Sequence, residues 1–321
     1  MRKPGFVFGT LFVLLATIAA YLHWDENGLV QIEQETTVIV PSGSTITAVA
    51  KDLEDRGILS SAEAFIVYTK IFGGSKPIQA GEFLLTPEMD LGDILGTFQT
   101  GKVKRYFLTI PEGMPSILVH QRIMEEELLT GTIDIPTEGS VLPDTYDFER
   151  GESRAALLDR MQLAMTDYLL SSWAERADNV AVSTVRDAVI LASIVEKETG
   201  ISSERGMVAG LYSNRLRIGM RLQADPTIIY PITKGAPLGR RIRRSEIDSV
   251  NDYNTYTMSG LPKGPITNPG RDSISAVLNP SETTALFMVA DGSGGHAFAA
   301  TNKEHEQNVA AWRAFREQQG Q

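Results

Sequence analysis

Residues Asp187–Thr199 read DAVILASIVEKET. The apolar residues recur at helical spacing, about 100° per residue, which puts Ile190, Leu191, Ile194 and Val195 on one side of a helix. Glu198 falls near the middle of that side, seven residues after Leu191 and four after Ile194. Glu196 falls on the opposite side, beside Ala192 and Val189, and reads as a polar-face residue. A carboxylate within an apolar stripe is costly to bury in its charged form and tends to stay protonated. A protonated carboxyl is what a protein needs to donate a proton near neutral pH. The other reading is a helix that ends here, with Glu198 leaning into solvent.

Downstream, Gly200 stops the helix, and Ser202 reads as the cap of a second helix with Glu204 in its first turn. Met207, Leu211 and Leu216 supply that helix's core face, and Gly219 sits where a C-terminal glycine belongs. Asp225-Pro226 has the form of an N-cap followed by proline at the first helical position. Gln223, just before it, has no such structural duty. The run Gly239–Arg244 (GRRIRR) is the one basic cluster, readable as a solvated loop or as a contact for an anionic polymer. Tyr253–Gly270 (YNTYTMSGLPKGPITNPG) is too rich in Gly and Pro for a helix, and long ordered loops of this kind are often functional. Asp272–Leu278 reads as a short helix, Leu286–Ala290 and His296–Ala300 as a hairpin, and Asn302–Glu317 as a closing helix. Upstream, Arg154–Trp173 is an amphipathic helix, and Glu138–Phe148 (EGSVLPDTYDF) reads as a packed loop.

The N-terminal third has a different texture. Met1-Arg2-Lys3 precedes an uncharged run from Pro4 to Leu22, about 28 Å long as a helix and close to the roughly 30 Å hydrocarbon core. The basic residues before it and Asp25 and Glu26 after it predict a single-pass anchor over residues 1–23, its N-terminus in the cytoplasm and the remainder outside the inner membrane. A cleaved signal peptide is the competing reading, but the run is long for one and no Ala-x-Ala site ends it. Residues 24–35 form a polar connector. Thr36–Val40 predicts a strand, Ile46 onward a helix capped by Ser44 or Thr45, Ser61 onward a second helix, and Lys76–Leu85 a second strand. This βααβ order over 36–105 resembles the LysM glycan-binding module. Asp90–Thr100 predicts a helix, Tyr106–Ile110 a strand and Ile117–Leu129 a helix.

The fold class is therefore α+β, with the anchor, a small LysM-like subdomain and a larger mixed domain over 106–321. The 321 residues contain no cysteine, which excludes disulfides, thiolate metal sites and cysteine nucleophiles. A formal net charge of −10 argues against a nucleic-acid binder. The four histidines, His23, His120, His296 and His305, show no metal-ligand spacing. Neither a Gly-x-Ser-x-Gly elbow nor a Walker-type loop is present. Acid–base chemistry is left to carboxylates.

In order, EGSVLPDTYDF, LASIVEKET, ERGMVAGLYSNRLRIGMRLQADPTIIY, YNTYTMSGLPKGPITNPG and FMVADGSGGHAFAATN resemble the YceG-like endolytic murein transglycosylases, the MltG family. The match runs from the anchor to the last helix. The resemblance implies a lysozyme-like helical core and endolytic, non-hydrolytic cleavage of the MurNAc–GlcNAc bond in peptidoglycan strands. It implies further that this cleavage leaves 1,6-anhydro ends, needs no cofactor or metal, and limits strand length beside a peptidoglycan synthase. The family's catalytic glutamate, the one directly before threonine, lands on Glu198. Nothing in the family pattern maps onto GRRIRR. Gln223, Asn254, Tyr256 and Tyr146 are the candidate groove-lining residues, since sugars are bound by planar amides and aromatic faces, with Asp225 and Glu138 behind them. Two other functions are open. One is a hydrolytic muramidase using Asp225 or Glu196 as second carboxylate. The other is a non-catalytic peptidoglycan-binding scaffold.

Overall fold

A computed structural model describes residues 26–318. The chain divides into two compact units. One runs to Tyr106 and takes in Glu149–Gly151, and the other comprises Phe107–Phe148 and the chain from Glu152 onward. The anchor expected at residues 1–23 lies outside the described residues. Among those described, no helix is long and apolar enough to cross a membrane.

The first unit pairs β1 (Thr36–Val40) antiparallel with β2 (Gly81–Leu85), Thr36 opposite Leu85 and Val40 opposite Gly81. Val38, Val40, Phe83 and Leu85 turn to one face and are buried there by α1 (Ile46–Asp55), α2 (Ala62–Phe72) and α3 (Leu91–Thr100). The helix starts follow local chemistry: Thr45 and Ser61 accept hydrogen bonds from backbone N–H groups three residues on, and Asp90 forms a capping box with Asp93. The second strand is shorter than the sequence suggests, beginning at Gly81 rather than Lys76. Pro77, which has no N–H for a ladder, sits in the part left out. Glu82 is buried but accepts from Lys104 Nζ (2.9 Å), Tyr106 Oη (2.7 Å) and Arg150 Nε (2.7 Å). Burial pushes its pKa up, and these donors outweigh burial and bring it to about 2.

The second unit is mixed in the same way. Most of the short strands β3 (Arg105–Thr109) and β4 (Thr145–Glu149), which pair with each other, lies in it, and β5 (Phe287–Ala290) forms a hairpin with β6 (His296–Ala299). β4 arises within a stretch whose proline and acids read as loop. Its helices are α4 (Ser116–Glu125), α5 (Arg154–Ala174), α6 (Val185–Glu198), α7 (Arg205–Arg217), α8 (Pro226–Thr233), α9 (Arg271–Leu278) and α10 (Asn302–Gln318). The frame is α6. Thr184 caps it by accepting from Asp187 N, and every residue from Ala188 to Val195 is buried. A helix buried on all sides belongs in the middle of a core, and α5, α7, α8 and α9 pack around this one.

The long loop 253–270 is ordered by buried polar anchors. Ser193 Oγ, on α6, accepts from Ile266 N at 3.1 Å. Asn268 is fully buried; its Oδ1 accepts from Val141 N and its Nδ2 donates to Met114 O and Ser116 Oγ. Two distant segments, 114–116 and the one holding Val141, are thereby tied to one amide of the long loop, as buried polar groups require. Gly139 in the 138–148 segment has φ +78°, and a Cβ there would lie 2.7 Å from Pro265, so only glycine allows these loops to meet.

Candidate functional site

The last turn of α6 brings Glu198 to the floor of a cleft of about 350 Å3. Helix α7 supplies Tyr212 and Arg215, the turn into α8 supplies Gln223 and Asp225, and the long loop supplies Tyr256. Glu198 Oε1 is out of contact with solvent and has no hydrogen-bond partner. Burial is the main force on this carboxyl, and the negative charge of Asp225 adds to it. The Tyr212 hydroxyl and the Arg215 guanidinium pull the other way, and the balance raises the pKa to about 7. The group is a carboxylic acid poised to give up its proton near neutral pH.

Its surroundings are rigid. Tyr212 is 2% exposed, and burial together with the neighbouring Glu198 keeps its hydroxyl protonated far above the ordinary range. Arg215 is buried, Nε donating to Leu286 O (2.7 Å) and Nη1 to Leu222 O (2.6 Å), its guanidinium 5.7 Å from the Phe287 ring centre. Asp225 stands at the N-cap position of α8, but its side chain does not cap the helix. Its Oδ1 instead accepts from Tyr256 Oη at 2.6 Å. The expected capping duty is absent, and the carboxylate faces the cleft. Gln223 is one of the two non-glycine residues with positive φ, +51°, among the described residues. Its N–H donates to Thr255 O, while Thr255 Oγ1 accepts from Ala224 N and meets Thr227 Oγ1, a buried strut under the strained residue. Strain of this kind persists only where the surroundings over-determine it, and it clusters at functional sites.

Three of the residues read from sequence meet around Glu198: Gln223, Asp225 and Tyr256. Asn254 does not line the cleft. It is fully buried, with Nδ2 donating to Ile247 O and Ser249 O and Oδ1 accepting from Tyr256 N, so its amide builds the loop. Tyr146 is also elsewhere, its hydroxyl donating to Leu142 O at 2.7 Å. Glu138 accepts from Ser116 N at 2.9 Å and so satisfies the start of α4, whose own cap position, Pro115, offers no side-chain bond.

Two readings of the helix surroundings need correction. Glu196 does not face solvent; its side chain is 5% exposed. Its Oε2 accepts from Gly270 N (3.0 Å) and Ser273 Oγ (2.7 Å), capping α9 from a neighbouring helix, and Oε1 lies 3.7 Å from Arg205 Nη2. The side of α6 that looked polar packs against the start of another helix, and the periodicity of one segment does not reveal such a neighbour. Ser202 does not cap α7. It begins a 3-10 turn, and its Oγ donates to Asp272. Thr199 Oγ1 donates to Glu204 Oε2, and Glu204 also accepts from His296 N and pairs with His296 Nδ1 at 2.8 Å, which fixes the chain directly after Glu198.

Sequence alone does not single out Tyr212 and Arg215. Arg215, four residues after Leu211 on the core face of its helix, is the available signal. The basic run contributes nothing to this cleft: Arg240 pairs with Glu246 and Arg244 with Asp248. Among the described residues, no group of three or more His, Asp or Glu side chains could hold a metal ion.

A carboxyl with its pKa raised to about 7 at the end of a buried helix, opening on a cleft lined by an amide, a phenol and a guanidinium, defines an acid–base site. The chain belongs to the YceG-like family, whose model matches residues 38–311. It is 28% identical over 310 residues to the endolytic murein transglycosylase of Bacillus subtilis, covering 86% of this chain and 85% of that protein. The endolytic murein transglycosylase of Streptococcus pneumoniae (strain D39) is also 28% identical; the match takes in 97% of this chain and 63% of that longer protein. A crystal structure of a YceG-like protein from Listeria monocytogenes superposes with a TM-score of 0.51 at 27% identity, over 85% of this chain and 99% of that one.

Proposed function

We propose that this chain is a peptidoglycan lytic transglycosylase in which Glu198 is the acid and then the base of one non-hydrolytic cleavage. The relatives' names support the reaction class, and the observation that carries the residue assignment is the buried Glu198 carboxyl with its pKa near 7. Glu198 gives its proton to the oxygen bridging MurNAc and GlcNAc as the C1–O bond breaks. The acetamido group of MurNAc supports the positive charge that develops at C1. The Glu198 carboxylate then takes the proton of the C6 hydroxyl, and O6 bonds to C1 to close a 1,6-anhydro ring. The proton returns to Glu198 and no water is consumed.

The cleft suits both half-steps. Burial and Asp225 hold the proton on before cleavage, while Tyr212 and Arg215 stabilise the carboxylate after it. Gln223 and Tyr256 are assigned to substrate contact. The remaining parts of the reading rest on sequence: an inner-membrane anchor over residues 1–23, a periplasmic catalytic domain, a LysM-like unit over 36–105, strand-length control and proximity to a synthase. The test is to incubate the full chain, in detergent, with uncrosslinked glycan strands and to identify the ends by mass spectrometry. Anhydro ends from the wild type and none from Glu198→Gln are expected. Reducing ends would point to a muramidase, and an absence of products to a binding scaffold.

A further inference from the structure

The cleft over Glu198 continues past Lys197, Pro226 and Ile229 into a second groove of about 440 Å3 that shares those three residues. That size is within the range of about 300–1,000 Å3 usual for ligand sites. Its walls differ in kind from the cleft. Met114, Leu118, Ile229, Pro237 and Leu238 line it, with no aromatic ring and no side-chain amide, and Glu112 and Lys197 are its only ionisable side chains. Such a surface offers a sugar ring little to hydrogen-bond or stack on. It does suit methyl groups.

The groove is also preformed. Prolines 111, 115, 226 and 237 stiffen it. Gly235, at φ +87°, lets the 235–238 segment approach so closely that a Cβ would lie 2.7 Å from Pro115 Cβ. Charge is asymmetric along it. Glu112 pairs with Arg205 at 3.0 Å, a guanidinium it shares with Asp272 and Glu196, whereas Lys197, one residue from Glu198, has no carboxylate partner among the described residues and donates to Gly113 O at 3.3 Å.

We propose that this groove seats the peptide stem carried on the lactyl ether of a muramic acid residue beside the bond being cut. The lactyl and alanine methyls pack on the apolar wall, and a stem carboxylate meets Lys197. The inference rests on the transglycosylase reading and adds to it a preference for strands that bear stems over bare ones.

The test uses the full chain in detergent on two substrates: uncrosslinked strands with intact stems, and the same strands stripped by an amidase. The wild type should show kcat/KM about tenfold higher on stem-bearing strands, the usual scale for apolar complementarity of one or two methyl groups. Leu238→Glu and Leu118→Gln, both outside the Glu198 cleft, should erase that preference while bare strands are cut at the wild-type rate. Equal wild-type rates on the two substrates would overturn this proposal alone, as would variants that slow both substrates alike, the result for a further sugar subsite. No anhydro ends from either substrate would overturn the transglycosylase reading along with it.

Discussion

Replacing Glu198 by glutamine is expected to stabilise the protein in alkaline solution and to do so much less in acid. The wild-type carboxyl has a pKa of about 7 when folded, against an ordinary value of 4.5. Because the folded value is raised, the stability tied to this proton is fully present below about pH 4.5 and lost as pH rises through about 7. At about 1.4 kcal/mol per pH unit of separation, the loss amounts to about 3 kcal/mol by pH 8.5. Glutamine has no proton to lose and escapes the penalty. For a unit of this size, 1 kcal/mol moves Tm by about 2–4 °C, so the variant's advantage over the wild type should grow by about 6–12 °C between pH 4.5 and pH 8.5. Scanning calorimetry of the two proteins at both pH values measures it, and the effects of titrating groups remote from Glu198 cancel in the comparison. A Tm difference that does not change with pH would mean that Glu198 ionises normally, and the acid role would fall with it.

Three further outcomes follow from the same geometry. Asp225→Asn removes the negative charge that helps hold the proton on Glu198, so the alkaline limb of the pH–kcat profile should move to lower pH; an unchanged or raised limb would show that Asp225 does not act on that proton. Gln223→Gly relieves a left-handed residue at φ +51°, and denaturant unfolding should show a stability equal to wild type or up to about 1 kcal/mol higher, with kcat/KM reduced; a destabilised but fully active variant would contradict the assignment. Glu196→Ala strands Gly270 N, Ser273 Oγ and part of the Arg205 pairing, and should cost about 2–4 kcal/mol of stability by urea unfolding. A loss under about 0.5 kcal/mol would place Glu196 back at the surface.

How much of this was legible beforehand depended on the range of the interaction. Glu198 could be read from sequence because its apolar neighbours sit on the same helix, at spacings that one segment displays. Thr45, Ser61, Asp90 and Thr184 act within three residues of themselves and were equally accessible to local rules. Glu196 was misread because its partners, Gly270 and Ser273, are more than seventy residues away. Asn254 and Tyr146 have the chemistry of sugar ligands, but the backbone groups that claim them become neighbours only when their loops fold. Asp225-Pro226 illustrates the opposite case, a correct local motif whose side chain is taken by Tyr256 Oη, thirty-one residues on. The arginine of the site was hidden for a related reason: a buried guanidinium looks like a surface residue until its carbonyl partners, Leu222 and Leu286, are in place.

On the proposed mechanism one carboxyl on α6 cuts glycan strands with a sugar hydroxyl in place of water. Cleavage in water enriched in 18O, with the new ends analysed by mass spectrometry, tests it most directly. Fragments are expected that sum to the mass of the parent strand, end in anhydro sugar and carry no label. Labelled reducing ends, each heavier by one water, would contradict it.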